Sequence, residues 1–173
     1  MIEPAIEIFG KLDGKVIIDL RRVIFEAFTK SDNEGLIFTY MWAFDMPSDW
    51  AYVNNIVELF SKHNSSIYCV ELVALQAVRL KRNRTEKRLN EKASKRNIDF
   101  SEGLILREDK KYRLESYEGE TFFENYLKID ISYLSPDEVA DIIKQTFNFF
   151  KKPINYKSTN NKAGFTLYKS TLF

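Results

Sequence analysis

Residues 76–97, QAVRLKRNRTEKRLNEKASKRN, hold nine basic side chains against two acidic ones. Three chemistries suit such a run. It can be a lid whose arginines close over nucleotide phosphates, because a planar guanidinium grips two phosphate oxygens at once and stabilises charge developing in transfer. It can contact nucleic acid, although it contains no aromatic residue for base stacking. Or it is a solvated helical face in which Glu86 and Glu91 offset their basic neighbours.

A second candidate is Asp45, which closes the segment TYMWAFD at its C-terminal end. Open parallel sheets place their ligand crevice at that edge. A carboxylate there can hold Mg²⁺ through water or take a proton from a substrate hydroxyl. It can equally be a loop or cap acid before MPSDW. Asp130 closes KID in the same way, or orients the turn that follows.

Other residues that could do chemistry lack partners. His63 is the only histidine, so triads and zinc sites built on several histidines are excluded, and a role at a helix end is expected. Cys69 lies inside an apolar segment and reads as a small core residue. The stretch GKLDGK at 10–15 falls one residue short of the phosphate loop G-x-x-x-x-G-K-[ST] and has Val16 where the hydroxyl belongs. It reads as a turn.

The elements that must position these residues follow from periodicity. Apolar residues at 16, 17, 20, 23, 24, 27 and 28 form a helical stripe. LIFTYMWAF, opened by Gly35, reads as a strand buried on both faces. Ser48 is expected to cap a helix ending near His63, and SIYCVEL to form a second strand. A helix enters the basic run, and Ser101 begins another helical pattern with Leu104, Ile105, Leu106 and Leu114. Tyr126–Ile131 is the third strand. Ser135-Pro136-Asp137-Glu138 starts a last helix that runs to about Phe149. Strand and helix alternate three times, so an α/β domain with a parallel sheet flanked by helices is expected over 1–150. Residues 151–173 form a basic, polar C-terminal extension with GFTLY as a possible edge strand.

Charge is segregated along the chain. The net charge is +1, yet 76–97 carry +7 and 151–173 carry +5, which leaves −11 on the rest. An acidic body opposes a polyanion and lets the basic arm fold back on it or meet a small anion there. A single cysteine, no signal-like start and no apolar run near the roughly 20 residues of a membrane helix point to a cytoplasmic protein without a membrane partner.

Position adds a resemblance. VELVALQAVRLKRNRTEKRLNEKASKR, DKKYRLES, YLKIDISYLSPDEVADII and IFTYMWAFD are similar to a family of small bacterial P-loop kinase-like proteins, described as AAA-family or shikimate-kinase-like. The similarity covers Ile2 to about Phe149. It implies an ATP-dependent phosphotransferase fold, a nucleotide and a small acceptor as partners, and ATP with Mg²⁺ as cofactors. It also implies a basic lid at about 84–100, with Arg84, Arg88 and Arg96 facing the nucleotide phosphates and Arg84 and Arg88 acting in catalysis. Arg21 and Arg22 would lie on the acceptor side, and Asp45 would be the catalytic carboxylate near the metal. In that family the Walker A strand, loop and helix precede the segment beginning IEPAIEIFG, so the fold is expected to be N-terminally incomplete and the kinase inactive. Non-catalytic anion or nucleic-acid binding and a gene remnant are the alternatives. Lacking a central strand, the sheet would expose two rows of backbone groups, so the chain is expected to be poorly soluble or oligomeric, or to cover the gap with its own tail.

Overall fold

The computed structural model describes residues 14–93, 96–148 and the strand 164–170. Helix α1 (Gly14–Thr29) leads to strand β1 (Gly35–Tyr40), helix α2 (Pro47–Ser61) and strand β2 (Ile67–Val73). Helices α3 (Gln76–Asn83), α4 (Glu86–Glu91) and α5 (Ile98–Lys111) follow. Strand β3 (Asn125–Asp130), helix α6 (Pro136–Phe147) and strand β4 (Gly164–Ser170) complete the order.

All four strands are parallel, in the order β1-β4-β2-β3. The α/β class read from the sequence is therefore correct. The GFTLY stretch does form a strand, but in the interior of the sheet: Phe165 stands opposite Leu36 on one side and Ile67 on the other. Without β4, β1 and β2 would face each other across an empty strand position, each with a row of unpaired backbone groups.

Two cores sandwich the sheet. On one face Phe25 of α1, Phe38 of β1, Val53, Ile56 and Phe60 of α2 and Cys69 of β2 are buried together with Trp42 and Phe44. Aromatic edges fix this layer: Phe25 meets Phe38 at 5.0 Å between centroids, and Trp42 meets Trp50 at 4.7 Å. On the other face Val70, Ile129, Ile131, Val139 and Ile143 join β2, β3 and α6. Alternation along β2 divides its residues between the two cores.

Local chemistry sets several boundaries. Ser135 caps α6 as expected: its Oγ accepts from the Glu138 N–H, and the Glu138 carboxylate accepts from the Ser135 N–H in return. Pro47 occupies the first turn of α2, so the cap position is Met46 and not Ser48, which lies inside the helix. Helix α5 starts at Ile98 because the Asn97 side chain accepts from the Phe100 N–H, which places Ser101 one turn inside. Trp42, Ala43 and Phe44 are buried but lie beyond the ladder, so β1 is shorter than the apolar run.

Helix α1 departs from its expected orientation. Its buried positions are Phe25 and Thr29. Much of the predicted stripe faces outward, with Val16 43%, Leu20 44%, Val23 59% and Ile24 41% exposed, while Phe28 at its end packs against the first core. Aromatic packing against Phe38 and Phe60 selects the Phe25 side, although the aliphatic side is the more continuous one.

Candidate functional site

Asp45, after β1, and Asp130, at the end of β3, lie at the carboxyl edge of the sheet, and Arg21 reaches the β1 end of it. At the end of β1, Tyr40 lies beside Tyr52 of α2, with ring centroids 5.0 Å apart, and near Asp49 in the first turn of the same helix. Arg21 reaches the same corner from α1, its guanidinium 5.3 Å from the centre of the Phe38 ring. Burial first, then the charge of Asp49 and a hydrogen bond to it, push the Tyr40 hydroxyl far above the usual phenol range, so Tyr40 stays protonated. The Asp49 carboxylate also accepts from the Ala43 N–H at 2.9 Å, which pins the chain just after β1. Two polar atoms here are buried without a hydrogen-bond partner: Nε of Arg21 and the hydroxyl of Tyr52. Buried donors without acceptors are rare and suit a ligand oxygen. Arg22, by contrast, is exposed and 3.8 Å from Asp19 on its own helix.

Asp45 stands on the other side of that turn. Its Oδ1 accepts from the Arg113 N–H at 3.0 Å, while the Phe44 N–H donates to the Arg113 carbonyl at 2.8 Å. The loop after α5 is thereby tied to the end of β1. The Arg113 side chain lies 4.1 Å from the centre of the Tyr117 ring and pairs with Glu120 at 2.5 Å. Among the described residues no group of three His, Cys, Asp or Glu side chains could hold a metal ion. Asp45 is thus used to accept a backbone N–H and tie two loops together.

The basic arm folds back on its own body. Arg79 makes a bidentate pair with Asp109 of α5 at 2.9 and 2.6 Å, and both side chains are nearly buried. Burial pushes the Asp109 carboxyl up, but hydrogen bonds from Arg79 and Gln76 outweigh it and hold the group below the usual carboxylate range. Arg82 donates to the carbonyls of Ile131 and Leu134 beyond β3, at 2.6 and 3.3 Å. Asn83 donates to the Ser101 hydroxyl at 2.6 Å inside the protein. Arg84 grips Glu102 through Nε and Nη2, at 2.5 and 2.7 Å. Arg96 donates to the Leu89 carbonyl at 3.3 Å, and Arg88 is half-buried on α4.

The arm's base thus lies at the carboxyl ends of β2 and β3, while Arg84 turns toward α5 and an acid. The structure brings Arg21 to the β1 corner, separates Arg22 from it, and leaves Arg84 and Arg96 engaged with protein groups. Asp130 orients the turn after β3, its Oδ1 accepting from the Ser132 N–H at 2.8 Å. Cys69 is buried, and the His63 N–H donates to the Phe60 carbonyl at the end of α2.

Sequence reasoning missed two features. Tyr40 and Tyr52 look like core aromatics in the linear sequence, and only the turn between β1 and α2 brings their rings together. Glu71, in the centre of β2, is fully buried and accepts from the Ser116 N–H and hydroxyl, at 3.1 and 2.7 Å, and from the Tyr126 hydroxyl at 2.5 Å. Lys128, beside it on β3, donates to the Ser116 carbonyl and pairs with Glu115, both within 2.9 Å. The signal was a lone acid inside the apolar run SIYCVEL. This network fixes the 112–124 loop across the sheet.

No protein-family model matches the chain, and neither does any curated protein or solved structure. No described helix is long and apolar enough to cross a membrane.

Proposed function

We propose that this chain is a kinase-like α/β module that binds a small phosphorylated or otherwise anionic molecule at the Arg21–Tyr40–Tyr52 corner and does not turn over ATP as it stands. The kinase-like part rests on the resemblance carried by VELVALQAVRLKRNRTEKRLNEKASKR and YLKIDISYLSPDEVADII, with which the parallel sheet is compatible. Inactivity rests on the 173 residues containing no G-x-x-x-x-G-K-[ST] loop, whose backbone amides and lysine hold the β- and γ-phosphates in that class. The described residues do not fit an ATP–Mg²⁺ complex: Asp45 accepts from a backbone N–H, no described group of three His, Cys, Asp or Glu side chains could hold a metal ion, and Arg84 is ion-paired.

The single observation that carries the anion-binding part is the pair of buried, unpartnered donors, Arg21 Nε and the Tyr52 hydroxyl, at the carboxyl end of a parallel strand. Phosphate and carboxylate oxygens are acceptors of the kind both groups lack. No proton transfer is involved: Arg21 supplies charge and Tyr52 a hydroxyl donor, while the Tyr40 hydroxyl is already committed to Asp49. Nucleic acid is the weaker fit, because the arm cations Arg79, Arg82 and Arg84 are engaged by the protein itself.

Calorimetric titration with inorganic pyrophosphate at low salt tests the site, with Arg21→Met expected to abolish the heat and Arg84→Ala to leave it unchanged. An Arg21→Met protein that binds as the parent does would remove the site. Turnover of ATP by the parent above roughly 1 per second, the lower end of ordinary enzyme rates, would overturn the inactivity.

A further inference from the structure

Helix α5 carries a glycine that its own fold does not ask for. Gly103 lies in the middle of Ile98–Lys111, where glycine costs helix stability relative to alanine. Its φ is not positive, so no side chain is excluded by conformation, and a Cβ placed on it would meet no described atom within 4 Å. Neither strain nor packing among the described residues explains it. Gly103 instead forms the floor of an open groove of about 520 Å³, lined also by Leu106, Arg107, Lys110 and Lys111. A helix surface without a side chain lets a second backbone approach closely.

The groove runs along the side of α5 that faces away from the body. Ser101 and Ile105 are buried on the inner side, and Asp109 is spent on Arg79. On the outer side Asp99, Gly103, Leu106 and Lys110 recur at i, i+4, i+7 and i+11, the spacing of a coiled-coil seam. All four are exposed, Leu106 by 40%. They are symmetric about the midpoint between Leu104 and Ile105, with Asp99 and Lys110 as the outer pair and Gly103 and Leu106 as the inner pair. Charge is divided the same way. The first half of the helix holds Asp99 and Glu102, while the second holds Arg107, Lys110 and Lys111, its own acids Glu108 and Asp109 lying against Arg107 and Arg79. Among the described residues Asp99 and Lys110 make no ion pair.

This arrangement is self-complementary. Laid antiparallel on a second α5 across a twofold axis, each Leu106 falls on the second copy's Gly103 and each Lys110 on its Asp99, so every contact is made twice. The basic half of one helix then lies along the acidic half of the other, with the helix dipoles opposed. Phe100, 60% exposed, comes beside the second copy's Arg107, a ring and a cation that attract. A parallel pairing would set Lys110 against Lys110 and Asp99 against Asp99.

We infer that the outer face of α5 is a homodimer interface, covered by α5 of a second copy with Leu106 seated on Gly103 and Lys110 paired with Asp99. The seam is one short helix, so the dimer dissociates on dilution. It uses no residue of the anion corner.

Sedimentation velocity of the full chain over a roughly hundredfold dilution series at low salt tests the interface. The parent is expected to pass from dimer toward monomer as it is diluted. Gly103→Leu fills the groove and should be monomeric throughout, with a melt no lower than the parent's, because leucine is the better helix former and has open space there. Lys110→Asp sets two carboxylates together at both ends of the seam and should weaken the dimer about tenfold, and Asp99→Lys should do the same with two ammonium groups. The double variant Asp99→Lys/Lys110→Asp exchanges the charges and should recover the parent's dimer. A parent that is monomeric across the series would overturn the inference. So would a Gly103→Leu dimer as tight as the parent's, the result that pairing through any other surface gives, the edge strand β1 included. A double variant no tighter than the single ones would overturn it as well.

Discussion

Arginine is used in two opposite ways at the two ends of the carboxyl edge. In the arm, where the sequence is most basic, Arg79, Arg82, Arg84 and Arg96 are each met by an acid or a carbonyl of the same chain. At the β1 corner, where Arg21 is the one arginine of the cluster, a donor nitrogen and a neighbouring hydroxyl are buried with no acceptor. Charge density along a sequence therefore says little about which cations are available. The acids that neutralise the arm, Glu102 and Asp109, sit on α5, beyond the arm's own run, and only the packing of α3 on α5 reveals the match.

The comparison is broken most forcefully at Asp109. Asp109→Ala leaves Arg79 with its charge almost buried and unanswered, which costs about 3–5 kcal/mol, and urea unfolding should show it. Acid gives a gentler version of the same experiment. The folded state holds the Asp109 carboxyl below its unfolded value, so the stabilisation is complete above the unfolded pKa, near 4, and is lost as pH falls through the folded one. Melts between neutral pH and pH 3 should therefore decline in the parent and decline less in Asp109→Asn.

At the other corner the sign reverses. Tyr52→Phe removes a buried hydroxyl that no described residue satisfies, and should raise stability by about 1 kcal/mol while weakening pyrophosphate binding. A loss of stability would mean that the hydroxyl already has an acceptor. The smallest effect belongs to Arg84→Ala, because the Arg84 side chain is two-thirds exposed despite its short contacts with Glu102. Its melt should coincide with that of the parent at physiological salt, where exposed pairs are screened.

The fold was legible where local chemistry and long-range packing agree. Ser135 and Pro136 mark the start of α6 in both, and SIYCVEL needs only a one-residue shift to become β2. Legibility failed where packing chose between two apolar faces, as in α1, whose periodicity suits either direction and whose inner side is decided by Phe25 meeting Phe38. It failed again at GFTLY, because nothing in a strand's composition distinguishes an edge from an interior position when pairing partners lie far away in sequence. For the site, Arg21 was picked out by resemblance, while Tyr40 and Tyr52 were hidden among core aromatics. The arm arginines were picked out by density, and their partners were hidden by distance along the chain.

The interior position of β4 bears on how the protein is made. Its two neighbours leave the ribosome long before it does, so for a time they can meet each other, or a strand from another nascent chain, in the wrong register. Correct assembly then depends on a late threading event between two already synthesised strands, and expression yield should be governed by how quickly that last piece arrives, more than by the strength of the finished core.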